Sequence, residues 1–426
     1  MATGAHPHNI KTAQDLCTGC GSCQGICPKG AISLEIDSLE GFYKPNVDSE
    51  LCTECGQCLK VCPGEKMDFH SLEQSVFGRT RTDQLLGVFN NCYVGHSTDS
   101  ELRFASSSGG LVTELLRTVL DHGLIDGVAV TAIKMNPNGE LQPTPYIART
   151  SSEVMSAIAS KYAPVATNTC ISEIMRTNGR YALVGLPCHI HGIRKMQDTI
   201  PVLKKRIVFC LGLFCAKNIR LTGTYYLLEK LKIDRKKIKS LSYRGQGWPG
   251  GMSILCHDGS SYFLTTGDYY KPDFDAFTIP RCSVCCDQTN ELADLSCGDA
   301  WHIVKNDFQG SSVIIVRSAP GTELISYALR KARIKLTEAD PGAIIKSQGG
   351  FKYKKRDIAG RITLRKAMGK RSPEYIGIKY TAANATTYIN AISTALKMTL
   401  ASKKELWPFL KLYCNSTAKL ANLYNK

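Results

Sequence analysis

The amino-acid sequence predicts a mixed α+β and α/β protein in three parts, and three observations support this fold class. Two cysteine-rich repeats lie near the N-terminus, helical and strand patterns alternate through the middle, and basic residues dominate the last part. We place the three parts at residues 1–75, 76–350 and 351–426. The 426 residues are enough for two or three domains, and a hydrophobic fraction of 43% excludes general disorder.

Cysteine usage indicates the compartment and the chemistry. The chain has 19 cysteines, an odd number that includes tight C-x-x-C pairs, and no apolar signal segment follows Met1. We therefore expect metal ligands in a reducing cytoplasm rather than extracellular disulfides. No stretch approaches the roughly 18 apolar residues that span a bilayer, so any membrane association is expected to be peripheral.

Residues 17–28 and 52–63 both read C-x2-C-x2-C-x3-C-P, the pattern of a bacterial ferredoxin with two four-iron clusters. Three cysteines at this spacing let one loop bind three irons of a cube, and glycines relieve the backbone. We expect the fourth cysteine of each repeat to begin a short helix and to bind the other cluster. One [4Fe-4S] cluster is thus assigned to Cys17, Cys20, Cys23 and Cys62, and the other to Cys52, Cys55, Cys58 and Cys27.

The repeat has two alternative interpretations. C-x2-C pairs also bind zinc, although eight cysteines at this spacing, followed twice by proline, favour iron–sulfur clusters. Two-cluster domains are electron relays attached to many enzymes, so the repeat indicates electron transfer without identifying a donor or an acceptor.

Helical and strand patterns alternate between about residues 85 and 350 and predict an α/β core. Residues 111–120 place apolar side chains at helical spacing, and residues 128–133 follow as a short buried strand. Residues 181–186 and 206–209 are further strand candidates. The sequence contains neither G-x-G-x-x-G after a strand nor a Walker loop, so it indicates neither a standard dinucleotide fold nor an ATPase.

Four scattered cysteines of the central part form a second pattern. Two follow predicted strands, in Gly-Leu-Pro-Cys and Gly-Leu-Phe-Cys, and two form a C-x2-C pair. Because strand ends and such a loop can bring four thiolates together, we predict a third four-iron cluster on Cys188, Cys215, Cys282 and Cys285. The alternative is that they are small buried apolar residues. We adopt that alternative for Cys92, Cys170, Cys256 and Cys414. The reserve ligands are Cys210, Cys286 and Cys297.

Two glycine-containing segments could hold an organic cofactor. Residues 106–110, Ser-Ser-Ser-Gly-Gly, precede the helix predicted from residue 111, where hydroxyls and backbone N–H groups could face a phosphate. Helix capping by serine is the alternative. Residues 293–301 put acidic side chains at a strand end, where ligands of α/β sheets often bind. The alternative there is a turn closed by Gly298 and Asp299.

These motifs, in their order along the chain, resemble the β-subunit family of coenzyme F420-reducing hydrogenase and F420H2 dehydrogenase. The resemblance runs from about residue 17 to residue 350 and includes Ser160-Lys161-Tyr162 and Ala-Asp-Leu-Ser-x-Gly-Asp. It implies an iron–sulfur flavoprotein that binds FAD in the central α/β domain, beside the third cluster. The implied FAD contacts are Ser107, Ser108, Gly109, Gly110, Lys161 and Tyr162.

The resemblance also implies an oxidoreductase that exchanges hydride with coenzyme F420 and single electrons with ferredoxin or a partner subunit. Because the deazaflavin donates hydride and clusters carry single electrons, FAD is expected to convert between the two. Lys161 is the candidate catalytic residue, as the partner of an anionic flavin or a phosphate, with a solvated lysine as the alternative. His189 and His191 are candidates for tuning the third cluster, with structural roles as the alternative. Two other functions stay open, a ferredoxin-dependent reductase of an organic substrate and a non-catalytic relay subunit.

The last part carries most of the net charge of +16. Residues 351–426 contain sixteen lysines and arginines against three acidic residues, with a basic cluster at 352–371. Residues 388–423 are expected to form one or two helices interrupted by Pro408. We expect this extension to dock on a partner complex or an anionic membrane, with a solvated helical extension as the alternative. Nucleic-acid binding is not expected, because no binding module accompanies the basic residues.

Overall fold

The structure is a computed structural model that describes residues 9–424, with side chains described for all of these except residue 12 and residues 418–424. A 3-10 helix, Ile10–Leu16, leads into the first cysteine repeat, and two antiparallel strands lie between the repeats. The other N-terminal elements are α1 (Ser22–Ile26), β1 (Ile32–Ile36), β2 (Tyr43–Val47), α2 (Gln57–Lys60), β3 (Lys66–Asp68) and α3 (Phe69–Phe77).

The prediction that the fourth cysteine of each repeat begins a helix is wrong. Helix α1 contains the third cysteine, Cys23, and ends before Cys27, and helix α2 contains Cys58 and ends before Cys62. Gly21 precedes α1 with a φ of 88°, a left-handed conformation that favours glycine and lets the helix begin directly after the second cysteine. The fourth cysteine therefore follows the helix, where the chain turns towards its proline.

The central part contains two sheets. Its strands are β4 (Asn91–Ser97), β5 (Gly127–Met135), β6 (Leu141–Ala148), β7 (Tyr181–Gly185), β8 (Ile207–Leu213), β9 (Ile238–Ser242), β10 (Gly251–Cys256), β11 (Ser261–Thr265), β12 (Leu295–Asp299), β13 (Ser312–Val316) and β14 (Ile334–Glu338). Strands β9, β10 and β11 form an antiparallel sheet, and the other eight form one mixed sheet in the order β14-β4-β13-β12-β8-β7-β5-β6.

Parallel strands form the middle of the mixed sheet. Strands β12, β8, β7 and β5 run parallel to one another, and apolar cores cover both faces. In β5, Ala129 packs into one core, whereas Val128 and Val130 pack into the other. Burial on both faces explains the nearly continuous apolar runs of these strands. The strands predicted at 128–133, 181–186 and 206–209 are confirmed as β5, β7 and β8.

Helices connect these strands, and the helix predicted at 111–120 is confirmed as α5 (Leu111–Asp121). The helices are α4 (Ser100–Ala105), α5 (Leu111–Asp121), α6 (Ser151–Met155), α7 (Ile171–Arg176), α8 (Pro187–Thr199), α9 (Pro201–Arg206), α10 (Leu221–Lys230), α11 (Thr266–Tyr269), α12 (Pro272–Asp275), α13 (Ala319–Arg330) and α14 (Pro341–Ser347). Short 3-10 helices are Thr167–Cys170, Arg235–Lys237 and Pro280–Val284.

The chain after residue 350 packs against both preceding parts. Strand β15 (Glu374–Ile376) pairs in parallel with β3, and Arg365 donates from Nη2 to the Asp15 carbonyl at 3.0 Å. The elements are a π-helical turn (Lys352–Arg356), α15 (Ile358–Ala367), β15 (Glu374–Ile376), α16 (Ala385–Ala401), a 3-10 helix (Lys404–Leu406) and α17 (Trp407–Tyr424).

The two terminal helices are present, but their break lies before Pro408. Helix α16 ends at Ala401, and Pro408 is the second residue of α17. Proline fits the first turn of a helix, because the N–H that it lacks has no helical partner there. None of the helices in the described part of the chain is long and apolar enough to cross a membrane.

Candidate functional site

The four cysteines assigned to the first cluster lie together. Burial raises the pKa of the Cys17 thiol to about 12, and the neighbouring Cys20 and Cys62 add to the effect. Burial also raises the pKa of Cys62 to about 11, again with Cys20 as a neighbour. Cys23 has the same three cysteines among its neighbours. Cys62, the fourth cysteine of the second repeat, therefore lies at the first loop.

The four cysteines assigned to the second cluster line one small cavity, and they are Cys27, Cys52, Cys55 and Cys58. This set is closer to solvent than the first. Cys55 is exposed, and so are Thr53 and Glu54 of the same loop. The side chain of Asn9 donates from Nδ2 to Cys52 Sγ at 3.7 Å.

The third set of cysteines converges from three separate elements. Cys188 lies in the first turn of α8, Cys215 follows β8, and the C-x2-C pair lies at the 3-10 helix Pro280–Val284. Burial raises the pKa of Cys188 well above its usual range, and Cys20 of the first loop and the other three members of the set add to the rise. The third set therefore lies beside the first loop.

The spacing of these cysteines differs from that of ligands around a single ion. Among residues 9–424, no group of His, Cys, Asp or Glu side chains is arranged to hold one metal ion. The four thiolates of an iron–sulfur cube bind four different irons, so they lie further apart than the ligands of one ion.

Two cations from the chain after residue 350 cover the C-x2-C loop. Lys354 is 1% exposed and donates from Nζ to Cys285 Sγ at 3.3 Å and to the Asp287 carbonyl at 2.6 Å. Arg361 donates from Nε to the Ser283 carbonyl at 2.6 Å. Burial alone would lower the pKa of Lys354, but the nearby cysteines and Asp287 raise it above its usual value. Part of the basic cluster that was expected to belong to a docking extension is therefore internal.

A cavity of about 430 Å³ is lined both by one cysteine of the third set and by the predicted cofactor segments. Cys215 contributes from the third set. Gly109, one of the predicted FAD contacts, is buried and is not among the residues that line the cavity. Its N–H donates to Ser312 Oγ at 2.9 Å. The predicted FAD contacts that line the cavity are Ser107, Ser108, Gly110, Lys161 and Tyr162.

The hydroxyls of the serine segment do not cap helix α5. Ser107 Oγ accepts a hydrogen bond from the N–H of Ser160 at 2.7 Å, and Ser108 Oγ donates to the Ser311 carbonyl at 2.7 Å. Gly110 occupies the cap position with a φ of 75° and no side-chain hydrogen bond. The serine-capping alternative is therefore wrong. The first turn of α5, which lines the cavity, keeps N–H groups without a side-chain acceptor.

Lys161 is not a solvated side chain. Burial lowers the pKa of its amino group to about 7. Its Nζ donates to the carbonyls of Ile158 at 3.0 Å and Ala159 at 2.8 Å, and also to the Ala157 carbonyl. Ala159 has a φ of 65°, which is unusual for a residue other than glycine. The amino group thus ties together a left-handed turn of the cavity wall.

A buried ion pair in the cavity wall was not identified from the sequence. Arg244 is 3% exposed, and its Nη2 lies 3.1 Å from Asp299 Oδ1. The guanidinium also donates to Tyr162 Oη at 3.1 Å and to the Ser107 carbonyl, and Trp248 donates from Nε1 to Asp299 at 2.9 Å. Burial would lower the pKa of Arg244, but Asp299 raises it. The sequence signal that could have pointed to Arg244 is the glycine-rich run that it begins, Arg-Gly-Gln-Gly-Trp-Pro-Gly.

The acidic segment at 293–301 divides between the core and the cavity. Asp299 lines the cavity, whereas Asp294 is buried beside Arg194, with Nη2 and Oδ2 2.8 Å apart. The two acidic side chains therefore do not act together at one ligand.

His189 and His191 contact groups other than cysteine sulfur in the described part of the chain. His189 accepts at Nδ1 from the Leu186 N–H at 3.0 Å and donates from Nε2 to the Val165 carbonyl at 2.9 Å. Burial lowers the pKa of His189 to about 4. His191 Nε2 lies 2.8 Å from Asp287 Oδ2. These contacts agree with the structural alternative.

The other cysteines are buried. Those expected to be apolar packing residues are Cys92, Cys170, Cys256 and Cys414. The reserve ligands, also buried, are Cys210, Cys286 and Cys297. Cys297 lies on β12 and lines the cavity.

Three family models match this chain. The model described as "4Fe-4S dicluster domain" matches residues 16–65. The other two describe the beta subunit of "Coenzyme F420 hydrogenase/dehydrogenase", and the model of its N-terminal part matches residues 92–172. The model of its C-terminal part matches residues 178–342. The two beta-subunit matches together cover more than half of the 426 residues.

Several proteins of methanogenic archaea are similar to this chain. The beta subunit of the coenzyme F420 hydrogenase of Methanothermobacter thermautotrophicus is 26% identical over 68% of this chain and 99% of its own length. A subunit of the F420H2 dehydrogenase of Methanosarcina mazei is 23% identical over 68% of this chain and 78% of its own length. The coenzyme F420-dependent sulfite reductase of Methanocaldococcus jannaschii is 24% identical over 86% of this chain, which spans only 53% of that protein.

A solved structure shares the fold. One chain of the F420-reducing [NiFe] hydrogenase complex of Methanosarcina barkeri superposes with a TM-score of 0.53 and 22% sequence identity. The match covers 71% of this chain and 99% of that chain. At this identity the similarity establishes the fold alone.

Proposed function

Because the chain belongs to the coenzyme F420 hydrogenase/dehydrogenase beta-subunit family, we propose that it is an iron–sulfur flavoprotein oxidoreductase that couples hydride exchange with coenzyme F420 to one-electron transfer. The supporting observation is that one cavity is lined by the serine segment, Lys161 and Cys215. A cofactor bound there would lie next to the third set of cysteines. FAD, when bound, supplies the conversion between a hydride and two single electrons.

The cavity wall offers the groups that a flavin dinucleotide requires. The first-turn N–H groups of α5 can receive a phosphate, because this turn lines the cavity and has no side-chain cap. Gln288 is 4% exposed and lines the cavity, and its Oε1 has no hydrogen-bond partner among residues 9–424. An N–H group of a bound ring can satisfy this acceptor, which is otherwise costly to bury. The chemistry of the wall therefore fits FAD.

Charged side chains of the wall act as positioning groups. The Arg244–Asp299 pair fixes Tyr162 and the Ser107 carbonyl, so it holds two separate wall segments at a constant distance. Lys161 holds the adjoining turn through its carbonyl contacts and keeps a positive charge near the cavity when it is protonated. That charge would favour an anionic ring or a phosphate.

The three sets of cysteines provide a route for single electrons. The third set, beside the cavity, lies next to Cys20 of the first loop, and the second set reaches the surface at Cys55. We assign ferredoxin or a redox subunit as the partner at this exposed end. Several relatives carry the word subunit in their names, which supports a larger assembly.

The terminal helices are the proposed docking surface for that assembly. Helix α16 exposes Ile389 and Ile392 at 66% and 56%, and α17 exposes Phe409 and Leu412 at 60% and 65%. Exposed apolar patches of this kind are typical of protein interfaces. The double substitution Ile389→Asp and Phe409→Asp should reduce the size of the anaerobically isolated assembly to that of the chain alone. An unchanged size would refute docking at this surface.

Anaerobic titration with reduced coenzyme F420 tests the function. The visible absorption of the flavin and of the clusters is followed, and FAD and iron are measured on the same sample. We expect both chromophores to bleach, with about twelve irons and one FAD per chain. If reduced ferredoxin bleaches them while reduced F420 does not, the F420 assignment is wrong.

A ferredoxin-dependent reductase of an organic or inorganic substrate is the second candidate function. The F420-dependent sulfite reductase matches 86% of this chain, more than the two subunits described above. Its name describes a reductase, and this chain spans only 53% of its length. Bleaching by ferredoxin alone would favour this function. The absence of FAD with eight or twelve irons present would instead indicate a non-catalytic relay subunit.

A further inference from the structure

Lys354 is a buried cation in contact with one cysteine of the third set. It is 1% exposed, and its Nζ lies 3.3 Å from Cys285 Sγ and 2.6 Å from the Asp287 carbonyl. The residue belongs to the π-helical turn Lys352–Arg356, beyond the last residue matched by the beta-subunit family. Neither the cysteine spacing nor the family match therefore points to it.

The surrounding residues hold Lys354 in place. Its neighbour Lys355 pairs with the buried Glu291 at 2.6 Å, which anchors the turn on one side. Arg361 donates to the Ser283 carbonyl, inside the C-x2-C loop. Tyr375 donates from Oη to the Val284 carbonyl at 2.8 Å. The chain after residue 350 thus forms a fixed cover over this loop.

We propose that Lys354 sets the reduction potential of the third cluster through its charged N–H···S hydrogen bond to Cys285. This inference rests on the proposed function, because it requires a cluster on the third set. A cluster gains one negative charge when it is reduced, and a buried cation at a ligand sulfur stabilises the more negative state. The reduction potential of this cluster should therefore be higher with Lys354 than without it. Lys354 is a positioning residue that acts through Cys285 and touches no substrate.

Replacement of Lys354 by methionine tests this role. Methionine keeps the length of the side chain and removes the charge and the N–H donor. At a fixed potential, we expect the ratio of reduced to oxidised third cluster to fall about tenfold, which corresponds to about 59 mV for one electron. The measurement is a redox titration followed by electron paramagnetic resonance. Lys354→Gln keeps an N–H donor without the charge. Its third cluster should have a reduction potential between those of the unaltered protein and Lys354→Met.

Lys352→Met is the matched control. Lys352 belongs to the same turn but is exposed, so its replacement removes one charge that solvent screens. Its effect on the third cluster should be much smaller than that of Lys354→Met. Equal shifts in the two variants would refute a specific contact with Cys285.

A measurement on the unaltered protein covers the case in which the variants do not fold. Protein labelled with 15N-lysine should show a nitrogen coupling to a reduced cluster in pulsed electron paramagnetic resonance. Absence of this coupling would overturn the inference. Iron content separates the hypothesis of a third cluster from the hypothesis about Lys354. About eight irons per chain would refute the third cluster itself. About twelve irons with an unchanged potential in Lys354→Met would refute only the role of the lysine.

Discussion

The two cysteine loops of the N-terminal part share one spacing but have opposite surroundings. The inner loop, residues 17–25, packs against the central part, where the Asn168 side chain donates to Ser22 Oγ at 2.8 Å. The outer loop, residues 52–60, exposes Thr53, Glu54 and Cys55. Cysteine spacing therefore specifies the ligands of a cluster, whereas the intervening residues decide whether the cluster faces protein or solvent.

Equivalent positions of the two repeats show the difference most directly. Gly25 lies two residues before the fourth cysteine of its repeat, and Lys60 occupies the same position in the other. A β-carbon at Gly25 would lie 2.2 Å from the Asn168 carbonyl oxygen, whereas Lys60 is exposed. The inner loop is thus suited to exchange electrons with the third set of cysteines, and the outer loop with a separate partner.

Removal of a third-set ligand should have the largest effect, because it separates the inner loop from the cavity. In Cys215→Ala we expect the loss of about four irons per chain. Reduced F420 should then no longer bleach the N-terminal clusters, while a small external reductant still reaches the outer loop. Iron analysis and anaerobic absorption spectra measure both effects.

Cys297→Ala is the control for that variant. Cys297 is also buried and also lines the cavity, but it is not assigned to a cluster. The Cys297→Ala variant should keep about twelve irons per chain, and reduced F420 should still bleach all of its clusters. If it loses iron as Cys215→Ala does, the ligand assignment of the third set is wrong.

A second prediction concerns the packing of the inner loop. Gly25→Ala forces a methyl group against the backbone of Asn168, and overpacking of this kind costs about 1–3 kcal/mol. The midpoint of anaerobic thermal unfolding should therefore fall. Lys60→Ala at the equivalent outer position should change stability by less than about 0.5 kcal/mol. Equal effects in the two loops would contradict the distinction between them.

The elements that the sequence predicted correctly depend on local patterns. The strands β5, β7 and β8 are apolar runs bounded by turns, and the cysteine repeats carry their own spacing. The helix start at the fourth cysteine failed because Gly21, with its left-handed φ, begins the helix earlier. Pro408 was expected to interrupt a helix, but it lies in the first turn of α17.

Contacts between residues far apart in the chain could not be predicted from the sequence. Arg244 and Asp299 are 55 residues apart, and each is ordinary in its own segment. Lys354 belongs to a run of basic residues that resembles a solvated surface, and only the fold turns this side chain towards Cys285. Charge patterns report composition, whereas burial depends on which surface the chain packs against.

The smallest expected effect concerns the outer loop and its charge. Glu54→Lys reverses one exposed charge beside Cys55 and retains a side chain at a position whose φ is 52°, so the local backbone strain stays the same. Oxidation of the reduced protein by the anion ferricyanide should become about three- to tenfold faster at low salt, and oxidation by the cation hexaamminecobalt(III) slower by a similar factor. Stopped-flow absorption measures both rates. In 1 M salt the difference should disappear, because screening then acts over about 3 Å.

Glu323→Lys, on the exposed surface of α13, makes the same change of net charge and should leave both rates within about twofold. If Glu323→Lys has the same effect as Glu54→Lys, net charge rather than the outer loop controls the exchange, and the outer loop is not the exit for electrons.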